Sequence, residues 1–153
     1  MRWIHRITIT ALGKPEEDME AVKQGIIALV PFNIEEAKVQ LQVQNAEGFE
    51  ERTIRIFTII LTKEAHTNDF LQFLLDNLAE EQKNLLISQA ESRLDTEFDF
   101  FIRIDKDEWI KERKIWLTDS GNCFHMKFSL AVFPKKREGA LQLIEKLFSQ
   151  KSI

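Results

Sequence analysis

With 153 residues, 44% of them apolar and 30% charged, the chain has the size and composition of one globular domain spanning 1–153, able to bury roughly two thirds of its unfolded surface. A formal charge of −4 argues against a strong, sequence-blind nucleic-acid binder. A single cysteine, Cys123, excludes an intrachain disulfide and a cysteine-based zinc cluster, and the lack of any signal-like or membrane-length apolar run points to the cytoplasm.

Residues 3–11 form the first expected strand. His5, Ile7, Ile9 and Ala11 alternate with Arg6, Thr8 and Thr10. Gly13-Lys14-Pro15 breaks it, and Pro15 suits the first turn of a helix, where its missing N–H has no partner to lose. Glu16, Glu17 and Asp18 lie where a helix dipole favours acids, and Met19, Val22, Ile26 and Val30 make one apolar stripe that ends before Pro31. Residues 38–44 then alternate cleanly: Ala37, Val39, Leu41 and Val43 are expected to face a core, and Lys38, Gln40, Gln42 and Gln44 water. After a turn at 45–48, residues 53–62 carry Ile54, Ile56 and Ile60 on one face and Phe57, Ile59 and Leu61 on the other. A strand apolar on both faces is either central or pressed against a second subunit.

Thr67-Asn68-Asp69 offers an N-cap before Phe70, Leu71, Phe73, Leu74 and Leu78. A second helix is expected over 80–93. Strand periodicity returns with Phe98, Phe100, Ile102 and Ile104, followed by a short turn or helix at 105–111 and a short strand at 115–117. Asp119-Ser120-Gly121-Asn122 signals a turn. Phe124, Met126, Phe128, Leu130 and Val132 make a long strand closed by Pro134, and a last helix covers 136–149. The order β-α-β-β-α-α-β-β-β-α predicts an α+β two-layer sandwich, with a mixed, mostly antiparallel sheet and helices covering one face.

No catalytic or metal signature emerges, and no cofactor is expected. His5, His66 and His125 lie in separate segments without metal-ligand spacing, and the five glycines stand alone rather than in a phosphate loop. Cys123 reads as a small buried or half-buried residue rather than a nucleophile.

Charge is distributed unevenly. Residues 1–100 hold 10 Lys and Arg against 18 Asp and Glu, a balance of −8, whereas residues 101–153 hold 11 against 7, a balance of +4. Lys135, Lys136 and Arg137 open the last helix, where cations oppose the dipole by about 0.3–1 kcal/mol each and free N–H groups can hold a phosphate. Either phosphate binding or plain solvation accounts for them. Arg103, Lys106, Arg113 and Lys114, with Lys111, precede them, with Trp109 and Trp116 interleaved and Phe133 beside the helix start. Rings and cations together suit single-stranded RNA; core packing or a dimer contact also accounts for the tryptophans.

Arg103-Ile104-Asp105-Lys106, followed in order by Phe133-Pro134-Lys135-Lys136-Arg137-Glu138, resembles the RLDK-like and YP-x-KRE-like stretches of an archaeal RNA-binding family whose members are described as predicted exosome subunits. Glu17-Asp18 with Val22 is similar to that family's TED-x-x-x-V helix start, and strand–Gly48–strand sits where the family has a Gly-rich hairpin. The chain departs from the pattern at Glu16, in place of a threonine cap, and at Phe49-Glu50-Glu51-Arg52, in place of a Gly-Asn-Pro turn. The resemblance implies a fold like that of the ribosomal protein that binds 5S RNA, and a non-catalytic RNA-binding protein or accessory subunit of an RNA-processing assembly. Lys135, Lys136 and Arg137 would then hold phosphates, and Arg103, Lys106, Arg113 and Lys114 would extend the track. The alternative is an assembly module that works as a homodimer without touching RNA.

Overall fold

A computed structural model describes residues 2–47 and 53–150. Among these residues five strands, β1 (Ile4–Gly13), β2 (Leu41–Glu47), β3 (Thr53–Leu61), β4 (Asp99–Asp105) and β5 (Cys123–Leu130), form one sheet in the order β2-β3-β1-β5-β4. Every pairing is antiparallel. Among the described residues, six helices accompany it: α1 (Met19–Ala28), α2 (Glu64–Asn77), α3 (Glu80–Ser88), α4 (Ala90–Arg93), α5 (Lys106–Glu112) and α6 (Arg137–Ser149). The architecture is the expected α+β sandwich, with an open sheet.

Alternation along the strands divides the sheet into two unlike faces. Ile7, Ile9, Phe57, Ile59, Ile102, Ile104, Met126 and Phe128 are buried against the helices. Thr8, Thr10, Ile56, Ile60, Phe101 and His125 point the other way and are only half covered. The expected phase fails at His5, which is exposed. A β-bulge between Ile4 and Arg6 inserts an extra residue, so Ile4 rather than His5 joins the core face.

Local chemistry explains where the helices begin. The Asp18 carboxylate accepts from the N–H groups of Glu20 and Ala21 at 3.1 and 3.2 Å, so α1 starts at Met19. Pro15 lies in the preceding turn, not in the helix. Helix α1 packs so closely on the sheet that a Cβ at Gly25 would come within 2.8 Å of the Phe124 ring. Helix α2 starts at Glu64, earlier than the Thr67-Asn68-Asp69 cap predicted: Thr67 is buried inside the first turn, its hydroxyl donating to the Glu64 carbonyl at 3.1 Å. The single helix expected over 80–93 breaks at Gln89, whose φ of −98° and ψ of 10° leave the helical region.

Two strand expectations also change. Residues 38–40 precede β2 rather than belonging to it: Lys38 takes a φ of 59°, and the Val39 N–H closes back on the Ile34 carbonyl at 2.8 Å. Val43 is 50% exposed, because β2 is the edge strand and the helices do not reach that far. The strand expected at 115–117 is reduced to one bridge, Leu117 to Ile104. Its outward N–H is taken by the Gln82 carboxamide oxygen of α3 at 2.7 Å, which ends the ladder. Gly48 and residues 49–52, the expected hairpin tip, lie outside the described residues.

Candidate nucleic-acid interface

Register assembles the open face from distant parts of the chain. One row runs across the sheet through Gln42, Thr58, Thr10, His125 and Arg103; the next through Ile60, Thr8, Lys127 and Phe101; a third through Arg6, Ser129 and Asp99. The face is therefore divided. Its β2–β3 side is apolar or neutral, with Ile54, Ile56 and Ile60 beside Leu12, which is 40% exposed. Its β4–β5 side carries the cations, with the Phe101 and His125 rings 5.4 Å apart and tilted by 43°. Lys127, 38% exposed, lies 4.0 Å from Asp99, whose other oxygen accepts from the Ser129 hydroxyl.

Beyond β4, Thr118 donates to the Arg103 carbonyl and Asp105 to the Trp116 carbonyl. This pairing continues the open face to half-buried Trp116, where Lys114 sits over the indole with Nζ 4.6 Å from the ring centre. Arg103 is exposed, its guanidinium reaching the Asp119 carbonyl at 3.4 Å. Arg103 and Lys114 thus share this surface.

Three other predicted residues do not. Lys106 is 1% exposed; its ammonium donates to the Leu12 carbonyl at 2.7 Å and to both Glu17 oxygens at 3.2 Å. No phosphate can reach it without displacing that ion pair. Arg113 takes a left-handed conformation at the end of α5 and closes that helix, donating to the Trp109 and Ile110 carbonyls at 2.9 and 3.2 Å. Arg137 folds back onto α4, bonding the Glu91 carboxylate at 2.9 Å and the Glu91 and Leu94 carbonyls at 2.7 and 3.2 Å. It satisfies a helix end that would otherwise be orphaned.

Lys135 and Lys136 are exposed but diverge. Lys135 borders a cleft of about 650 Å³ with Arg6, Asp99 and Ser129, at the end of the open face. Lys136 is the N-cap residue of α6 and lies along a separate groove with Phe133, whose ring is 98% exposed. The seven predicted cations therefore do not form one strip. Trp109 belongs to the core, its indole N–H donating to the Gly25 carbonyl at 2.8 Å.

Sequence reasoning missed Arg6, Arg93, Phe101, His125 and Lys127. A signal for two of them was present: His125 and Lys127 alternate with buried Phe124, Met126 and Phe128, so they had to face outward. Burial, then the nearby Arg103 and Lys127 charges, push the His125 imidazole below its ordinary range. Burial pushes the Cys123 thiol up, consistent with its buried position. The acids Asp95, Glu97 and Asp99 cluster in a turn in which the Asp95 carboxylate accepts from the Glu97 and Asp99 N–H groups, both at 2.9 Å. Among the described residues, no helix is long and apolar enough to cross a membrane.

A family model described as RNA binding matches residues 6–130. The chain belongs to that RNA-binding family. The matched segment contains Arg6, Arg103 and Lys127 and ends before the basic run that opens α6. A family relative, RNA-binding protein PAB1135 of Pyrococcus abyssi, is 26% identical over 92% of this chain and 90% of its own length. Protein MJ0213 of Methanocaldococcus jannaschii, described as uncharacterized, is 24% identical over 88% and 91%. The crystal structure of AF2318, a DUF54 protein of Archaeglobus fulgidus, superposes with a TM-score of 0.83 at 28% identity, covering 94% of this chain and 99% of that one. Mth689, a DUF54 protein of Methanothermobacter thermautotrophicus, shares the fold with a TM-score of 0.76 at 22% identity, covering 95% and 98%. These relatives are all archaeal.

Proposed function

We propose that this chain is a non-catalytic RNA-binding protein that holds RNA across the β4–β5 side of its open sheet face, as an accessory subunit of an archaeal, cytoplasmic RNA-processing assembly such as the exosome. The observation that carries the reading is the convergence of Arg6, Arg103 and Lys127 with the Phe101 ring on the face the helices leave uncovered. Cations of this kind neutralise backbone phosphates while an aromatic face stacks a base, at roughly 1–3 kcal/mol per stacked base. Lys114 over Trp116 extends the surface at one end and Lys135 at the other. The family match supports RNA as the partner. The kinship with the ribosomal 5S-RNA-binding fold implied by the sequence is part of the same proposal. A net charge of −4 fits a local patch rather than a general polyanion binder.

Fluorescence anisotropy with a hairpin RNA and a single strand, from 50 to 200 mM salt, tests the reading. Binding should weaken linearly in log affinity against log salt. No retention at the lowest salt, or salt-independent retention, overturns it.

The apolar side of the same face favours a second reading, self-association through Leu12, Ile54, Ile56 and Ile60. Light scattering should then report a dimer that Ile56→Glu converts to monomer. A wild-type monomer at high concentration removes this reading.

A further inference from the structure

We propose that the cleft between α4 and the outer side of β4 binds a single nucleotide, its phosphate on Arg93 and Arg103 and its base against the Phe101–His125 ring pair. This deepens the RNA reading and rests on it. The cleft, about 600 Å³ and lined by these four residues with Gln89 and Asp119, is of the size typical of small-ligand sites.

Arg93 is held ready for an anion. Its Nε and Nη2 donate to the Gln89 carboxamide oxygen at 3.0 and 2.7 Å, and its Nη1 to the Phe101 carbonyl at 3.2 Å. These partners are neutral, and an arginine has five N–H donors, so two remain for a ligand. Among the described residues, the Arg103 guanidinium donates to a single backbone carbonyl, that of Asp119, at 3.4 Å. Neither guanidinium has an ion-pair partner among the described residues; burial lowers the Arg93 pKa from its ordinary value, Asp119 offsets part of that, and Arg103 adds to it. Such a fork suits a phosphate better than a lysine would, because it binds two oxygens in one plane.

His125 makes the pocket sensitive to its occupant. It faces Arg103 on β4, Lys127 on its own strand and neutral Thr10 on β1, and shares the cleft with Arg93 of α4 and Asp119. Burial, then the flanking Arg103 and Lys127 charges, favour the neutral imidazole. A phosphodiester placed among those cations cancels part of their field. The His125 affinity for a proton then rises, and by reciprocity nucleotide binding strengthens as pH falls through the range below the ordinary imidazole value of 6.5. A phosphodiester itself does not titrate in that range.

The test uses an RNA dinucleotide without terminal phosphates, at constant ionic strength, followed through the His125 ring protons by NMR. Saturable shifts, an upward move of the His125 titration and loss of about tenfold in affinity in both Arg93→Gln and Arg103→Gln are expected. Arg103 is exposed, so its variant remains informative if loss of the Arg93–Phe101 tether unsettles the fold. If a hairpin RNA binds in a salt-dependent way while neither it nor the dinucleotide moves His125, the pocket is overturned and the open-face reading stands. Dinucleotide binding at His125 without any retention of longer RNA supports the pocket as a nucleotide site and overturns the RNA reading. Equal shifts with sodium chloride alone overturn the pocket.

Discussion

Replacing Lys106 by alanine is expected to cost about 3 kcal/mol of folding free energy, at the low end of what breaking a buried ion pair costs. The side chain is 1% exposed, and its ammonium is the hydrogen-bond partner of both the Leu12 carbonyl and the Glu17 carboxylate. Truncation leaves that carbonyl without its side-chain donor, leaves a carboxylate short of its counter-charge and opens a void where the lysine stem packed. Glu17 is 22% exposed and also accepts from the Lys14 N–H at 3.1 Å, so water and backbone compensate in part. Lys106→Met keeps the volume and should cost less, about 1–2 kcal/mol. Urea denaturation measures both. For a domain of this size the alanine variant should melt about 6–12 °C lower. Stability within 0.5 kcal/mol of wild type would contradict an inward, paired Lys106. Because this lysine is enclosed, Lys106→Met should leave RNA affinity unchanged.

The second large effect is on binding. Removing both Arg6 and Lys127 as glutamines should weaken RNA affinity by about 2 kcal/mol at low salt, close to thirty-fold. The dependence on salt should flatten by about 1.4 in the log–log slope for a single strand, the value for two lost phosphate contacts. These two residues lie on the open face outside the α4 cleft, so the result bears on the track rather than on the nucleotide pocket. Glutamine is chosen for Lys127 because a carboxylate there would face Asp99. The paired control replaces Lys135 and Lys136 by glutamine. Lys135 adjoins the track and Lys136 does not, so the control should lose less than the first pair. A larger loss in the control would move the interface to the start of α6.

Much of the fold was legible in local pattern. The alternation in β1, β3, β4 and β5 is strong enough to read directly, since the side-chain period of a strand is two and the helices cover one side. The readings that failed depended on partners elsewhere in the chain. Nothing near Thr67 says that its hydroxyl is satisfied within α2, and nothing near Leu117 says that Gln82 takes its N–H. Arg137 looked like a free cation because Glu91 and the carbonyls that hold it lie 43 to 46 residues away.

By itself the sequence determined the fold class, the two-faced character of the sheet and the family resemblance, because hydrophobic period and short motifs are local properties. Only the tertiary structure decided which cations share a surface. Arg6, Arg103 and Lys127 meet through antiparallel pairings between distant strands, and Lys106 is removed by a carboxylate 89 residues away. A one-residue slip of register would send each of those strand side chains to the opposite face. The interface is therefore a product of pairing register, and the basic residues of the last third are redistributed among the open face, helix ends and one buried ion pair.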